Sequence, residues 1–276
     1  MRPEDIQVLR QLVEARSGVQ VDPGKLYLIE SRLAPVARRE GFASIPEMIQ
    51  AVRVHRDDRL MWAATDAMSV TETAFFRDRA VFELFRDEML PALAQSRAGA
   101  PIRVWSAACS TGQEAYSLAM MVDEVRPRLP GARVDLFGSD LSERCLEKAQ
   151  SGLYTQFEVQ RGLPIRLLVR HFERAEDNWA LSPRVRQMVR WRRVNLLADL
   201  KPLGRFEVIF CRNAVCYFDE TTRKRVLERL AGLLADDGYL ALGAGETAMD
   251  VTEALQPAPG APGVYRRNPR FRAAAA

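Results

Sequence analysis

Through the first seventy positions the apolar residues recur at helical spacing. Ile6, Leu9, Leu12 and Val13 follow a Pro3-Glu4-Asp5 start, and Gly18 stops the run. Leu26, Ile29, Leu33 and Val36 mark a second helix closed by Gly41, in which Pro35 predicts a kink or an early end. Residues 45–54 and 59–67 supply one or two more, so the pattern predicts an all-helical N-terminal domain over 1–70. A further helical run from about 78 to 94 falls in a connecting stretch, 71–100.

From Ile102 the texture changes to short apolar runs alternating with helical patterns, which is how parallel strands joined by crossover helices read. IRVWSA (102–107) is the first strand, with a helix over 113–125 behind it, and RVDLFGSD (133–140) is the second, followed by a helix over 143–150. FEVIFC (206–211) precedes a helix opened by Asp219 and carrying Val226, Leu227, Leu230, Leu233 and Leu234; Asp237-Gly238 then turns into YLALG (239–243). The expected fold is α/β, a doubly wound Rossmann-like domain over 101–276. NWALSPRVRQMVRWRRVNL (178–196), with Asn178 and Pro183 as turn signals, reads as a small antiparallel insert of about 160–194.

Composition narrows the class. With 47% hydrophobic and 28% charged residues among 276, the chain is too apolar to be disordered, and no period of 20–50 residues suggests a solenoid or propeller. No stretch reaches the roughly 18 uninterrupted apolar residues of a membrane span, and the charged N-terminus has no signal-peptide core, so no membrane insertion and a cytoplasmic location are expected. Four cysteines lack CxxC spacing and predict no disulfide framework. The two histidines, His55 and His171, stand without ligand-spaced partners and read as half-exposed surface residues; neither a zinc site nor a Ser-His-Asp triad is expected. The net charge of +4 is concentrated: residues 160–193 hold nine Arg against three acids. Such a segment fits an acidic protein surface, a phosphate backbone, or simply a solvated face.

In an open doubly wound sheet, ligands bind beyond the carboxyl ends of the strands, which singles out 107–114, 138–142 and 211–219. In SAACSTGQE (106–114), Gly112 lets the backbone approach a ligand at a helix N-terminus, though the absence of G-x-G-x-x-G counts against a dinucleotide. Asp140 ends the second strand where a carboxylate accepts ribose hydroxyls or caps the next helix, a duty that Ser142 could share. Together these describe a nucleoside pocket. Glu114 is either a surface acid complementing the helix dipole or the partner of a ligand ammonium. Phe75 and Phe76 are also readable as core aromatics, and Tyr217 as a packed side chain with its hydroxyl satisfied by backbone.

TETAFFRD (71–78), WSAACSTGQEAYSLAM (105–120), GSDLSERCLEKAQSGLY (138–154) and CRNAVCYFDETTRKRVLERL (211–230) resemble, in order and spacing, the motifs of the CheR-type chemotaxis receptor glutamate methyltransferases. The likeness runs from the helical domain to within about 25 residues of the C-terminus. It implies binding of S-adenosylmethionine, with S-adenosylhomocysteine as product, and methylation of glutamates on the cytoplasmic domain of methyl-accepting chemotaxis receptors. By motif position it implies cofactor contacts at Thr71, Thr73, Arg77, Ala107, Gly112, Glu114, Asp140, Asn195, Leu196, Arg212 and Asn213, with Arg77 and Tyr217 nearest the transferred methyl. Where many relatives carry Asn, this chain has Thr71, which implies a weakened or replaced contact. The insert lacks a Gly-rich loop, so tethering through a receptor C-terminal peptide is not expected; a monomer that binds no nucleic acid is. An RNA methyltransferase and a non-catalytic cofactor-sensing module are the alternatives.

Overall fold

The structure, a computed structural model, describes residues 1–271; the last five residues of the expected C-terminal domain lie outside them. Four helices come first: α1 (Pro3–Ser17), α2 (Leu26–Arg39), α3 (Ile45–His55) and α4 (Asp58–Met68). Each has a local reason to start or stop. Ser44 and Asp57 cap α3 and α4 by accepting backbone N–H groups of Glu47 and of Arg59 and Leu60, and Gly18 ends α1 in the left-handed region. The helices bury Leu9, Val13, Ile29, Leu33, Met48, Ile49, Leu60 and Met68 in one core. Pro35 neither kinks α2 to an end nor shortens it: the helix runs on to Arg39. Leu33, Val36 and Ala37 on either side are buried, and that packing outweighs one missing N–H.

A continuous helical segment follows, made of α5 (Ala80–Leu84), a π-helical turn at Phe85–Met89 and α6 (Leu90–Arg97). Next come β1 (Pro101–Ala107), α7 (Gln113–Val125), β2 (Arg133–Asp140) and α8 (Glu143–Ser151), the last capped by Ser142. An excursion contains β3 (Leu153–Thr155), α9 (Gln156–Gln160), α10 (Ile165–His171), β4 (Phe172–Ala175), β5 (Asn178–Leu181) and α11 (Pro183–Arg186). The chain then forms β6 (Val189–Arg193), β7 (Phe206–Phe210), α12 (Glu220–Leu233), β8 (Leu234–Ala241), β9 (Leu255–Pro257) and β10 (Val264–Arg267). The seven-stranded sheet has the order β6-β2-β1-β7-β8-β10-β9, and β3-β5-β4 make a separate antiparallel sheet. The first five strands of the large sheet are parallel, and the order reverses between β1 and β7.

Three details differ from the sequence reading. The stretch VRWRR is not part of the antiparallel lobe: β6 pairs in parallel with β2 along Leu136–Asp140, and the lobe ends at Leu181. An alternating strand looks the same in either setting. The partner is chosen non-locally, here by Trp191 lying over Gly138, where a Cβ would come within 2.4 Å of the indole. The strand expected after Asp237-Gly238 starts earlier, at Leu234, and its register with β7 shifts between Phe206 and Val208. Finally, β10 adds to the sheet antiparallel to β8, and β9, antiparallel to β10, forms its edge, two strands that the sequence reading did not include.

His55 is on the surface as expected, whereas His171 is buried; its Nε2 has no hydrogen-bond partner among the described residues, and burial pushes its pKa down. Cys109, Cys145 and Cys211 are buried and Cys216 is exposed, all as free thiols.

Candidate functional site

An open cleft lies where the sheet order reverses. Its walls come from the ends of β1, β2 and β7, from the segment after α4, from the residues after β6, and from Ser17 and Val19 of the helical domain. Thr73, Arg77, Glu114, Asp140, Asn195, Leu196, Arg212, Asn213 and Tyr217 all line it. Thr71, Ala107 and Gly112 do not.

Those three have other duties. The Thr71 carbonyl accepts the Ser110 hydroxyl at 2.7 Å, tying the segment before the cleft to the β1–α7 turn. Ala107 is fully buried in the sheet core. Gly112 stands at φ +91°, and a Cβ there would lie 2.7 Å from Ala149 Cβ and 3.0 Å from the Trp191 ring. The absence of a side chain at Gly112 thus lets α7 pack on α8 and β6. Gly112→Ala is expected to lower stability by about 1–3 kcal/mol through the left-handed φ and the clash, read as a lowered thermal unfolding midpoint.

Deep in the cleft, Asp140 accepts the N–H groups of Ser110 at 2.8 Å and Ser142 at 2.9 Å. Burial pushes its pKa up, against the opposing pull of those backbone donors. Each carboxylate oxygen accepts one bond and retains a lone pair. On another wall of the cleft, Glu114 accepts the Ser106 hydroxyl at 2.8 Å and Arg212 Nη1 at 3.2 Å. Desolvation raises the Glu114 pKa, with the Arg212 charge the largest opposing influence. Glu114 is therefore a buried acid, not a surface one.

Arg212, 2% exposed in its side chain, spans Glu114 and Asp78 Oδ2, the latter at 2.6 Å, and lies over the Phe82 ring. Its Nε is buried without a partner among the described residues. Asp78, absent from the expected site, matters because a backbone turn with Phe76 at φ +49° and Asp78 at φ +55° directs it to Arg212. Phe75 and Phe76 are buried core aromatics, Phe75 edge-on to Tyr154 and Phe172.

At the mouth, Arg77 Nη1 donates to the Glu72 carbonyl at 3.3 Å, and the Glu72 carboxylate pairs with Arg161 of the excursion. That hydrogen bond holds the Glu72 carboxyl below the usual range. Tyr217 is half-buried, and burial raises its pKa while Arg77 opposes the rise. Its hydroxyl has no hydrogen-bond partner among the described residues, so the packed and satisfied alternative does not hold. Its carbonyl accepts the Gln20 N–H at 2.9 Å, and Val19 forms an antiparallel bridge with Phe218. Asn195 donates to the Arg16 carbonyl at 2.6 Å and accepts from Leu197 N–H. The helical domain thus supplies a wall and two backbone anchors, a contribution that sequence reasoning missed.

The arginine-rich segment is largely neutralised by its own chain. Arg161 pairs with Glu72, Arg166 with Glu124, Arg170 and Arg184 with Asp123, and Arg193 with Glu143. Arg174 and Arg186 donate to nearby oxygens, which leaves Arg190 and Arg192 without an acceptor among the described residues.

Comparisons with known proteins find relatives over most of the chain. A family model described as the CheR methyltransferase all-alpha domain matches residues 4–69, and one described as the CheR methyltransferase SAM binding domain matches residues 71–264. Chemotaxis protein methyltransferase 1 of Pseudomonas aeruginosa is 36% identical over 267 residues, covering 95% of this chain and 97% of that protein. Chemotaxis protein methyltransferase Cher2 of Pseudomonas putida is 33% identical over 264 residues, covering 94% and 96%. A chemotaxis protein methyltransferase of Vibrio parahaemolyticus is 35% identical over 249 residues, covering 89% and 90%. With its helical and cofactor-binding parts both matched, the chain belongs to the CheR family of S-adenosylmethionine-dependent methyltransferases.

Proposed function

We propose that the protein methylates glutamate side chains on the cytoplasmic domain of chemotaxis receptors. The observation that carries this reading is the gradient of chemistry along one cleft: paired acids and Arg212 inside, Arg77 and the unpartnered Tyr217 hydroxyl at the mouth. The inner donor set suits a nucleoside with a zwitterionic tail. Asp140 has free lone pairs for ribose hydroxyls, Val194 and Leu196 offer apolar walls for a base, and Asn195 adds an amide. Glu114 and Arg212, held against each other, meet an ammonium and a carboxylate. S-adenosylmethionine, when bound, supplies an electrophilic methyl group on a sulfonium.

The residues at the mouth then have a restricted task. A glutamate carboxylate is ionised at neutral pH, so its oxygen attacks without a general base. Arg77 and Tyr217 orient that carboxylate and displace its water, and alignment of this kind supplies up to about 7–11 kcal/mol of a barrier. A single hydrogen bond to the oxygen that does not attack keeps the other nucleophilic, whereas a bidentate clamp would quench both. Tyr217→Phe and Arg77→Ala are each expected to lower kcat with a receptor fragment by about 10–100-fold, the scale of a misaligned attack, while S-adenosylhomocysteine binds within about threefold of wild type. Wild-type transfer rates in both variants would sink the assignment.

Docking in this reading needs no receptor C-terminal peptide. Only Glu176 and Asp177 connect β4 to β5, a turn too short to enclose one. The internal pairing of the arginines also speaks against an RNA acceptor, since phosphate binding draws on unpaired cations. Among the described residues no helix is long and apolar enough to cross a membrane. A cytoplasmic monomer remains part of the proposal.

A further inference from the structure

The segment from Arg212 to Tyr217 holds three of the side chains assigned above, yet it is an irregular loop with one short helical turn at Val215–Tyr217. Asn213 within it sits at φ +57°. Such a stretch keeps a fixed shape only if its backbone groups are satisfied from outside. Two of its N–H groups, those of Asn213 and Cys216, are met by one side chain. Glu246, 8% exposed, accepts the N–H of Asn213 at 2.7 Å and of Gly243 at 2.8 Å on Oε2, and the N–H of Cys216 at 3.0 Å on Oε1. Glu246 in turn donates its own N–H to the Gly243 carbonyl at 2.9 Å. The next residue, Thr247, accepts the hydroxyl of Tyr265 on β10 at 3.2 Å, so the edge strand braces the loop that carries Glu246.

We infer that Glu246 is a positioning residue for methyl transfer: its carboxylate clamps the backbone at Asn213 and at Cys216, one residue before Tyr217, and so sets where Arg212, Asn213 and Tyr217 point. The inference rests on the reading above that those three residues serve the cofactor and the acceptor. Glu246 does not line the cleft, and its action runs entirely through the loop. Hydrogen bonds from several backbone donors to a carboxylate are stronger than neutral ones and fix direction as well as distance. The clamp also joins two strand ends, those of β7 and β8, which local sequence does not bring together.

The test is Glu246→Gln, chosen because the isosteric change preserves packing where truncation to Ala risks the fold. Gln keeps the shape and one acceptor oxygen, but turns an N–H₂ group toward one of the backbone donors. Loss of an acceptor from a buried donor predicts that the dissociation constant for S-adenosylhomocysteine rises about tenfold and kcat falls by about the same factor. The KM for a receptor cytoplasmic fragment stays near wild type. A merely structural residue would lower the amount of folded enzyme, and hence apparent kcat, without moving the dissociation constant measured per folded molecule. That second result overturns the inference. Arg212→Lys and Tyr217→Phe are run in parallel. If they impair binding or turnover and Glu246→Gln does not, only the role of Glu246 falls. If they too behave as wild type, the reading of the loop fails and the inference with it.

Discussion

An Arg212→Met chain is expected to lose about 3–5 kcal/mol of stability at neutral pH, the cost of leaving a buried carboxylate without its partner. Arg212 is nearly inaccessible and its guanidinium is the strongest influence holding the Glu114 pKa down against desolvation. The sign of the pH dependence follows. The folded-state pKa of Glu114 is already above its ordinary value and rises further without Arg212, so the folded state binds more protons than the unfolded one across that interval. The associated stability is present below the ordinary glutamate value and is lost as pH rises through the folded one. The deficit relative to wild type, measured by denaturant unfolding, is therefore smaller near pH 5 than at pH 7.5. Adding Glu114→Gln removes most of it. A deficit that ignores both pH and that second substitution would mean Arg212 stabilises through Asp78 and Phe82 and not through Glu114.

For Asp140→Ala the largest change is in affinity. Hydrogen bonds to a charged group contribute about 1.5–3 kcal/mol each, so losing contacts to two hydroxyls weakens S-adenosylhomocysteine roughly 100-fold or more. The substitution also frees the N–H groups of Ser110 and Ser142, which calls for a control that isolates the ligand contact. A cycle with the ligand lacking its ribose 2′-hydroxyl provides it. Wild type is expected to bind this analogue about tenfold more weakly than the parent ligand, and Asp140→Ala to bind the two alike. An equal loss in both proteins would show that Asp140 only holds the loop. Because burial raises the Asp140 pKa, wild-type affinity should begin to fall with acidification above the pH of an ordinary aspartate.

Most of the site was legible because it lies at strand ends. Glu114, Asp140, Arg212 and Asn213 follow apolar runs short enough to be strands, and the rule that ligands gather beyond carboxyl ends needs no coordinates. The motif likeness added Thr73, Arg77, Asn195, Leu196 and Tyr217, which periodicity alone does not mark. Gly112 was legible by its conformational freedom, while its close neighbours Ala149 and Trp191 were not. Glu246 had a weak signal, an acid just beyond the last parallel strand, but nothing in GAGETAMD says that three backbone donors converge on it. Asp78 and the arginine pairings were equally hidden, because Arg212 and Asp78, or Arg184 and Asp123, are far apart along the chain.

What the sequence determined by itself was the kind of each element and the kind of chemistry: 3.6-residue and two-residue periods, caps, glycine stops, and the polar interruptions where strands end. Those are local properties, set by backbone sterics and by which face must leave water. The tertiary structure decided the partners. It gave β6 to the large sheet instead of the lobe, seated the helical domain against Tyr217 and Asn195, and spent most of a basic segment on internal ion pairs. The physical reason is that hydrogen bonds and ion pairs between distant residues depend on where the packed core puts them, and a linear pattern of apolar and polar positions carries charge and spacing without that address.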